Sequence, residues 1–420
     1  MIVTVHPCIV EGQLRAPSSK SYMQRAVAAA LLAEGTTIIT NPSLCDDGLA
    51  ALDAVETLGA KVGRYKDRIE ITGGLDPKRN TVCVGESGLG MRLFSAVCAL
   101  SDKPVAITGK GSLPKRPLPG IQEALQALGA ECSVNGGFLP VKVKGPLKGG
   151  RIIVDGALTS QFLTGLLTAL PLAPGDSEIT VTGLKSLPYI DMTLDVLSDF
   201  GISVENLNYE SFRIKGRQKY TPCRYEIEGD WSGAAFPVVA GAVAGRVKLS
   251  GLKRNSRQAD RQILDIVNQA GAEVVWAGSS LYIEKNRLSS FDCDLSDCPD
   301  LFPPAVALAA HVKGNTRLRG INRLIHKESD RAEVLKTEFS KLGVNIRLSG
   351  DEMIIEGGEV RSGSVSSNND HRIAMACTVA ALAGSGQVSI SGTECVSKSW
   401  PGFFDDFAKL YNKRDNFPQK

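Results

Sequence analysis

The chain has 420 residues, 43% hydrophobic and 22% charged, with a formal net charge of +3. This composition excludes a disordered chain and suits a globular protein of two or three domains. So mild a charge gives no argument for a nucleic-acid partner, and any basic site must be a local concentration of cations. The opening MIVTVHPCIVEG lacks the basic and apolar regions of a secretory signal and the Arg/Ser-rich character of a transit peptide. No apolar run reaches the about 18 residues of a membrane span, so no span is expected and the location is expected to be cytoplasmic. Ten cysteines without a CxxC pair read as reduced core thiols, with Cys293 and Cys298 the closest two. His6, His311, His326 and His371 form no metal-binding pattern, so no metal is expected.

Taken in chain order, one plan recurs. A helix rich in Ala, Val and Leu on nearly all faces (YMQRAVAAALLAEG) leads to a short strand (TTIITN), a polar loop (NPSLCDD) and an amphipathic helix (LDAVETLGAKV) closed by Gly59. The next rounds read MRLFSAVCALSD, PVAITG, GKGSLPKRPL and IQEALQALGAEC with Gly129, then QFLTGLLTALPLAPG, EITVTG, GLKSLPYID and TLDVLSDFGISV with Gly201. They continue as AAFPVVAGAVAG, RVKLSG, GLKRNSRQAD and ILDIVNQAGAEV with Gly271, then PPAVALAAHVKG, TRLRG, INRLIHKESDR and VLKTEFSKLGVNI with Gly343. A last round, RIAMACTVAALAGSG, QVSISG and ECVSKSWP, ends in a shortened helix over Phe403–Leu410. The closing glycines are 70, 72, 70 and 72 residues apart (129 − 59, 201 − 129, 271 − 201, 343 − 271). Each suits a position just past a helix end, where positive φ is cheap for Gly. A hairpin such as EVVWAGSSLYIEK follows each one.

The fold class is therefore α/β (α+β): six β-α-β-α-β-β units grouped three and three into two similar domains, with buried helices surrounded by sheets and outer helices. The chain is expected to cross between domains near residues 12–17 and 225–230. One domain is then 1–14 plus 228–420, carrying both termini, and the other is 15–227.

Superimposing the units collects polar residues in two places. One is the start of each buried helix: SSKSYMQR, GESGLGMR, ALTSQF, GDWSGA, SDCPDL and SNNDHR. These are capping residues with cations added. The other is the loop after each short strand. Together the two places hold Lys20, Arg25, Arg92, Lys115, Arg116, Lys185, Arg254, Arg257, Arg323, Lys327, Arg331, Arg372 and Lys398. Helix starts carry unsatisfied N–H groups and the positive dipole end, so a polyanionic small molecule fits this recurrence. The bland alternative is a solvated basic rim with ordinary capping. On that alternative Asp300 is a helix cap and the KESDR segment a helix start with acidic first-turn residues.

The segments APSSKSYMQR, GESGLGMRL, LPKRPL, TSQFLTGLL, SLPYID, DCPDLFP, HKESDR, NNDHRIAM and CVSKSWP occur in this order. Together they resemble the signatures of the enolpyruvyl transferases, in the Lys-Ser form of the 5-enolpyruvylshikimate-3-phosphate synthases, across essentially the whole chain. The resemblance implies two domains of three units each, closing over substrates held in the cleft between them. It implies transfer of the enolpyruvyl (1-carboxyvinyl) group of phosphoenolpyruvate to the 5-hydroxyl of shikimate 3-phosphate, with release of phosphate, on the route to chorismate and the aromatic amino acids. That addition–elimination through a tetrahedral intermediate needs acids and a base, but neither metal nor organic cofactor.

Residue by residue, the resemblance implies that Lys20, Ser21, Arg25, Thr159, Ser160, Gln161, Ser186, Tyr189, Asp300, Arg323 and Lys327 bind shikimate 3-phosphate. It gives phosphoenolpyruvate to Lys20, Gly88, Arg116, Gln161, Glu328, Arg331, His371, Arg372 and Lys398. Asp300 is the expected base, and Glu328 and Lys20 the expected proton donors. The partners are these two small molecules, with no nucleic acid or membrane, and a monomer is expected. Three residues depart from the usual pattern: Glu86 for Asn, Leu89 for Thr or Ser beside Gly88, and Arg323 for Asn. A UDP-N-acetylglucosamine enolpyruvyl transferase would carry Lys-Asn at Lys20-Ser21 and a Cys in GKGSLPKRPL, which has none. A non-catalytic anion-binding relative is the alternative from another class.

Overall fold

In the computed structural model, which describes residues 1–411, the chain forms two compact units. One is residues 1–17 with the chain from 229 onward, and the other is residues 18–228. The division falls at Pro17/Ser18 and Glu228/Gly229, against the expected changeovers near 14 and 227. Each unit has its own apolar core.

In the unit of residues 18–228 the core is built on the helices Lys20–Leu32, Gly88–Cys98 and Gln161–Ala169. Every residue of Gly88–Cys98 is buried. Small residues permit this. A Cβ placed on Gly165 would meet the Arg92 carbonyl oxygen at 2.7 Å, so the helices touch backbone to backbone. The other unit repeats the arrangement with Trp231–Ala244, Phe302–Ala309 and His371–Leu382, all wholly buried. Burying each large apolar side chain contributes roughly 1.5–3 kcal/mol, which is why the Ala/Val/Leu runs sit here and the amphipathic helices outside.

The strand before a buried helix pairs parallel with the strand after it, and an antiparallel hairpin completes the sheet. Thus Thr81–Cys83 lies beside Val105–Thr108, which pairs with Phe138–Lys144, itself paired with Glu131–Asn135. Residues 150–214 and 292–357 build sheets of the same order. The closing glycines have φ of +116° at Gly59, +94° at Gly129, +79° at Gly201, +103° at Gly271 and +84° at Gly343, as their spacing predicts.

Two sheets depart from the simple repeat because their first strands are exchanged. Val10–Arg15 precedes the helix Lys20–Leu32 in sequence but pairs with Gly245–Ser250, Leu14 opposite Leu249. Arg224–Glu226 precedes Trp231–Ala244 but pairs with Thr36–Thr40. Each unit therefore completes one sheet with a strand whose sequence leads into the other unit. The sixth sheet has three strands: Gly363–Ser366 and Ile2–Val5 flank Val388–Ser391. The N-terminal strand stands where a hairpin stands elsewhere.

Candidate active site

In the unit of residues 18–228 the starts of the three buried helices are tied together. Ser19 and Ser87 cap their helices, accepting from the N–H groups of Tyr22 at 3.4 Å and Gly90 at 2.9 Å. Ser87 Oγ also donates to Gln24 Oε1 at 2.6 Å, joining the first two helices. Arg92 joins the second to the third, donating to Gln161 Oε1 at 3.0 Å, the Gly88 carbonyl at 3.2 Å and the Pro117 carbonyl at 2.9 Å. Arg25 donates to Thr193 Oγ1 at 2.9 Å, the Ser21 carbonyl at 2.9 Å, the Tyr189 carbonyl at 3.1 Å and Thr164 Oγ1 at 3.5 Å.

All these acceptors of Arg25 and Arg92 are neutral. Burial pulls Arg25 down to about 10. Burial, with Arg116 nearby, pulls Arg92 to about 9. Both stay cationic at neutral pH. Lys20 is different: its Nζ lies 2.9 Å from Asp47 Oδ2.

Gly88 brings a further cation in. A Cβ there would lie 2.9 Å from Arg116 Nη1 and 3.5 Å from Gln161 Oε1, so the missing side chain leaves room for the guanidinium on the helix start. Thr159 Oγ1 accepts the Gln161 N–H at 3.2 Å. Ser160 is buried, but its side chain does not cap the helix that follows. Ser186 is buried at φ +60°, and its carbonyl accepts the Tyr189 N–H at 3.1 Å.

The second cluster belongs to the other unit. Arg331 is 0% exposed and grips three carboxylates. Its Nη1 is 2.9 Å from Asp300 Oδ1, its Nη2 2.6 Å from Glu328 Oε2 and its Nε 2.9 Å from Asp370 Oδ2. Asp300 also meets Lys327 Nζ at 3.3 Å and Arg372 Nη2 at 3.0 Å, and Glu328 meets Lys398 Nζ at 3.2 Å. His371 is buried with Nδ1 3.8 Å from Asp370 Oδ1. Arg323 Nη1 donates to the Ser296 carbonyl at 3.4 Å.

Burial pushes the Asp300 carboxyl up, but Arg372, Lys327 and Arg331 outweigh it and hold it well below the usual carboxylate range. Burial lowers Lys327 despite the opposing pull of Asp300. Arg331 and Arg372 are both raised: burial is the largest single influence, but their carboxylate neighbours overcome it. Removing either side of such a network leaves an uncompensated buried charge.

The sequence reading needs two corrections. Helix capping at the six buried helices fails twice. Ser160 does not cap, and Asp300 lies inside the short helical turn Pro299–Leu301 with its carboxylate on three cations. Of the thirteen cations expected to gather at a site, Lys115, Lys185, Arg254 and Arg257 are exposed. Arg25, Arg92, Arg116, Arg331, Arg372 and Lys398 are buried, while Lys20, Arg323 and Lys327 are half-buried.

Three residues of these clusters were given no role with a substrate. Asp47 pairs with Lys20, Arg92 spans Gly88 and Gln161, and Asp370 holds Arg331 while accepting the Arg372 N–H at 3.0 Å. A signal existed for each: Asp47 ends the polar loop NPSLCDD at a helix start, Asp370 stands among the capping residues of SNNDHR, and Arg92 lies one turn from Gly88.

Residues 6–407 match the family model of EPSP synthase (3-phosphoshikimate 1-carboxyvinyltransferase). A 3-phosphoshikimate 1-carboxyvinyltransferase of Aeropyrum pernix is 41% identical, the match covering 97% of this chain and 95% of that one. Its counterpart in Thermococcus kodakarensis is 40% identical over 96% of this chain and 98% of that one. Among solved structures, EPSP synthase from Acinetobacter baumannii superimposes with a TM-score of 0.82 at 28% identity, covering 98% of each chain. From nine ordered motifs, a six-fold repeat and full-length matches of this depth, the chain belongs to the EPSP synthase family, the 3-phosphoshikimate 1-carboxyvinyltransferases.

Proposed function

We propose that the two clusters are half-sites that jointly hold phosphoenolpyruvate and shikimate 3-phosphate, and that the chain transfers the enolpyruvyl group between them. The observation that carries this reading is the pair Asp300 and Glu328, set among Lys327, Arg331, Arg372 and Lys398. Each substrate has one carboxylate and one phosphate, so the pair brings roughly −5 to −6 in charge near neutral pH. Lys20, Arg25, Arg116, Lys327, Arg331, Arg372 and Lys398 face that charge, with Asp47, Asp300, Glu328 and Asp370 already drawing on them in the empty site, and Arg suits two-point binding of carboxylate or phosphate.

The first step protonates the methylene carbon of phosphoenolpyruvate, with Glu328, in its protonated form, or Lys20 as the donor. C2 becomes electrophilic and the 5-hydroxyl oxygen attacks it, its proton passing to Asp300. The C2–O bond to phosphate then breaks and its electron pair leaves with the phosphate, which takes the proton held by Asp300, while the group that protonated the methylene carbon takes a methyl proton back and restores the double bond. Asp300 is ionised in the empty site and so able to accept a proton, but three cations make it a weak base. Substrate anions that draw on Lys327 and Arg372 relax that hold and raise its basicity when it is needed.

Ser21, Thr159, Ser160, Ser186 and Tyr189 orient shikimate 3-phosphate, with Arg323 and Lys327 on its other side. Gly88, Gln161 and His371 border phosphoenolpyruvate. The working form is a cytoplasmic monomer that closes on its substrates. Ten free thiols support a reducing compartment.

The test is phosphate release from phosphoenolpyruvate by the purified chain. Release that requires shikimate 3-phosphate, and yields a product heavier by the enolpyruvyl group, is expected. Tight binding of both substrates with no release would instead make the chain an anion-binding relative, the reading that Glu86, Leu89 and Arg323 keep open.

A further inference from the structure

Glu86 is a carboxylate two residues before Gly88, in a cluster rich in cations. By charge alone it weakens anion binding, so its presence calls for a compensating role. Its surroundings supply one. Gly111, at φ +57°, lies in the loop between Thr108 and Arg116, and an added Cβ there would sit 2.1 Å from Glu86 Oε1 and 2.3 Å from its carboxyl carbon. The Glu86 carboxylate therefore occupies the space over the Gly111 backbone. The loop returns to the same turn on either side of this contact. The Lys110 N–H donates to the Gly85 carbonyl at 2.7 Å, and Arg116 Nη1 lies against Gly88. Gly85, Glu86 and Gly88 thus meet Lys110, Gly111 and Arg116 in matching order.

We propose that Glu86 is a positioning residue that latches the 109–116 loop to the start of the helix Gly88–Cys98 and so places the Arg116 guanidinium for an anion. The latch rests only on geometry. Its effect on phosphoenolpyruvate also rests on the functional reading above.

Two measurements on the full chain separate the two. Limited trypsin digestion at the exposed Lys110 and Lys115 reports loop order without any substrate. Phosphate-release kinetics report the placing of Arg116. Glu86→Ala is expected to speed cleavage at these lysines about tenfold and to raise the KM for phosphoenolpyruvate about tenfold, leaving that for shikimate 3-phosphate within about twofold. Glu86→Gln, which keeps the shape, is expected to restore both within about threefold. Gly111→Ala is expected to copy Glu86→Ala by expelling the carboxylate. Unchanged cleavage in Glu86→Ala overturns the latch. Equal rises in both KM values overturn its action through Arg116. A wild-type chain that releases no phosphate would sink the functional reading instead and leave the latch to be judged on cleavage.

Discussion

The two clusters handle buried charge in opposite ways. In the unit of residues 18–228, Arg25 and Arg92 are buried on neutral oxygens. In the other unit, Arg331, Arg372, Lys327 and Lys398 are bound to Asp300, Glu328 and Asp370. The Lys20–Asp47 pair is an exception in the first unit. A cation on neutral acceptors keeps its unspent attraction for an incoming anion. A cation already bound to carboxylates is stable when empty, and its carboxylates are the groups that acid–base chemistry needs. One cluster is thereby suited to receive charge and the other to exchange it.

The largest expected effect tests the second cluster. Asp300→Ala should lower kcat by about 10²–10⁴-fold while both KM values move only a few-fold, read by phosphate release. A near-normal kcat would remove Asp300 from the chemistry.

Arg331→Met should destabilise its unit by about 3–5 kcal/mol in urea unfolding, because three carboxylates lose their shared partner. The matching change, Arg25→Met, should cost no more than about 1–2 kcal/mol, since it also removes a buried charge held only by neutral groups. Equal losses would erase the contrast between the units.

The same Arg25→Met change should raise the KM for shikimate 3-phosphate roughly 10- to 100-fold, the worth of a charge-assisted hydrogen bond, with little change in kcat.

Acid sensitivity should be greater in the second unit than in the first. Burial lowers His311 to about 4, and its Nε2 lies 2.8 Å from the Ala380 carbonyl. A base whose folded value is depressed binds fewer protons when folded, so stability falls as pH drops from about 6.5 towards 4 and then levels. The depressed Asp300 carboxyl adds stability above about pH 4 that is lost below it. His311→Gln should flatten the first phase of an unfolding titration and leave the second.

Much of this was legible in the residues because the signals are local. Gly59, Gly129, Gly201, Gly271 and Gly343 mark helix ends, and runs such as AAFPVVAGAVAG mark helices without a polar face. The cation-bearing helix starts and loops were equally visible, and so were the motifs around Lys20, Arg116, Asp300, Lys327 and Lys398. Which Arg would be buried on neutral oxygens was not legible, because Arg25 meets Thr164 and Thr193, and Arg92 meets Gln161, across long stretches of chain.

By itself, then, the order of residues determined the six-fold repeat, the helices that must be buried and the places where cations gather. Periodicity and helix-closing glycines act over a turn or two and need no distant partner. Tertiary structure alone decided that Val10–Arg15 and Arg224–Glu226 exchange sheets, that Asp300 binds cations instead of capping a helix, and that Asp370 takes Arg331. A strand edge or a carboxylate can be satisfied by several partners of the same chemistry. The choice falls to whichever one the packed helices bring within about 3 Å.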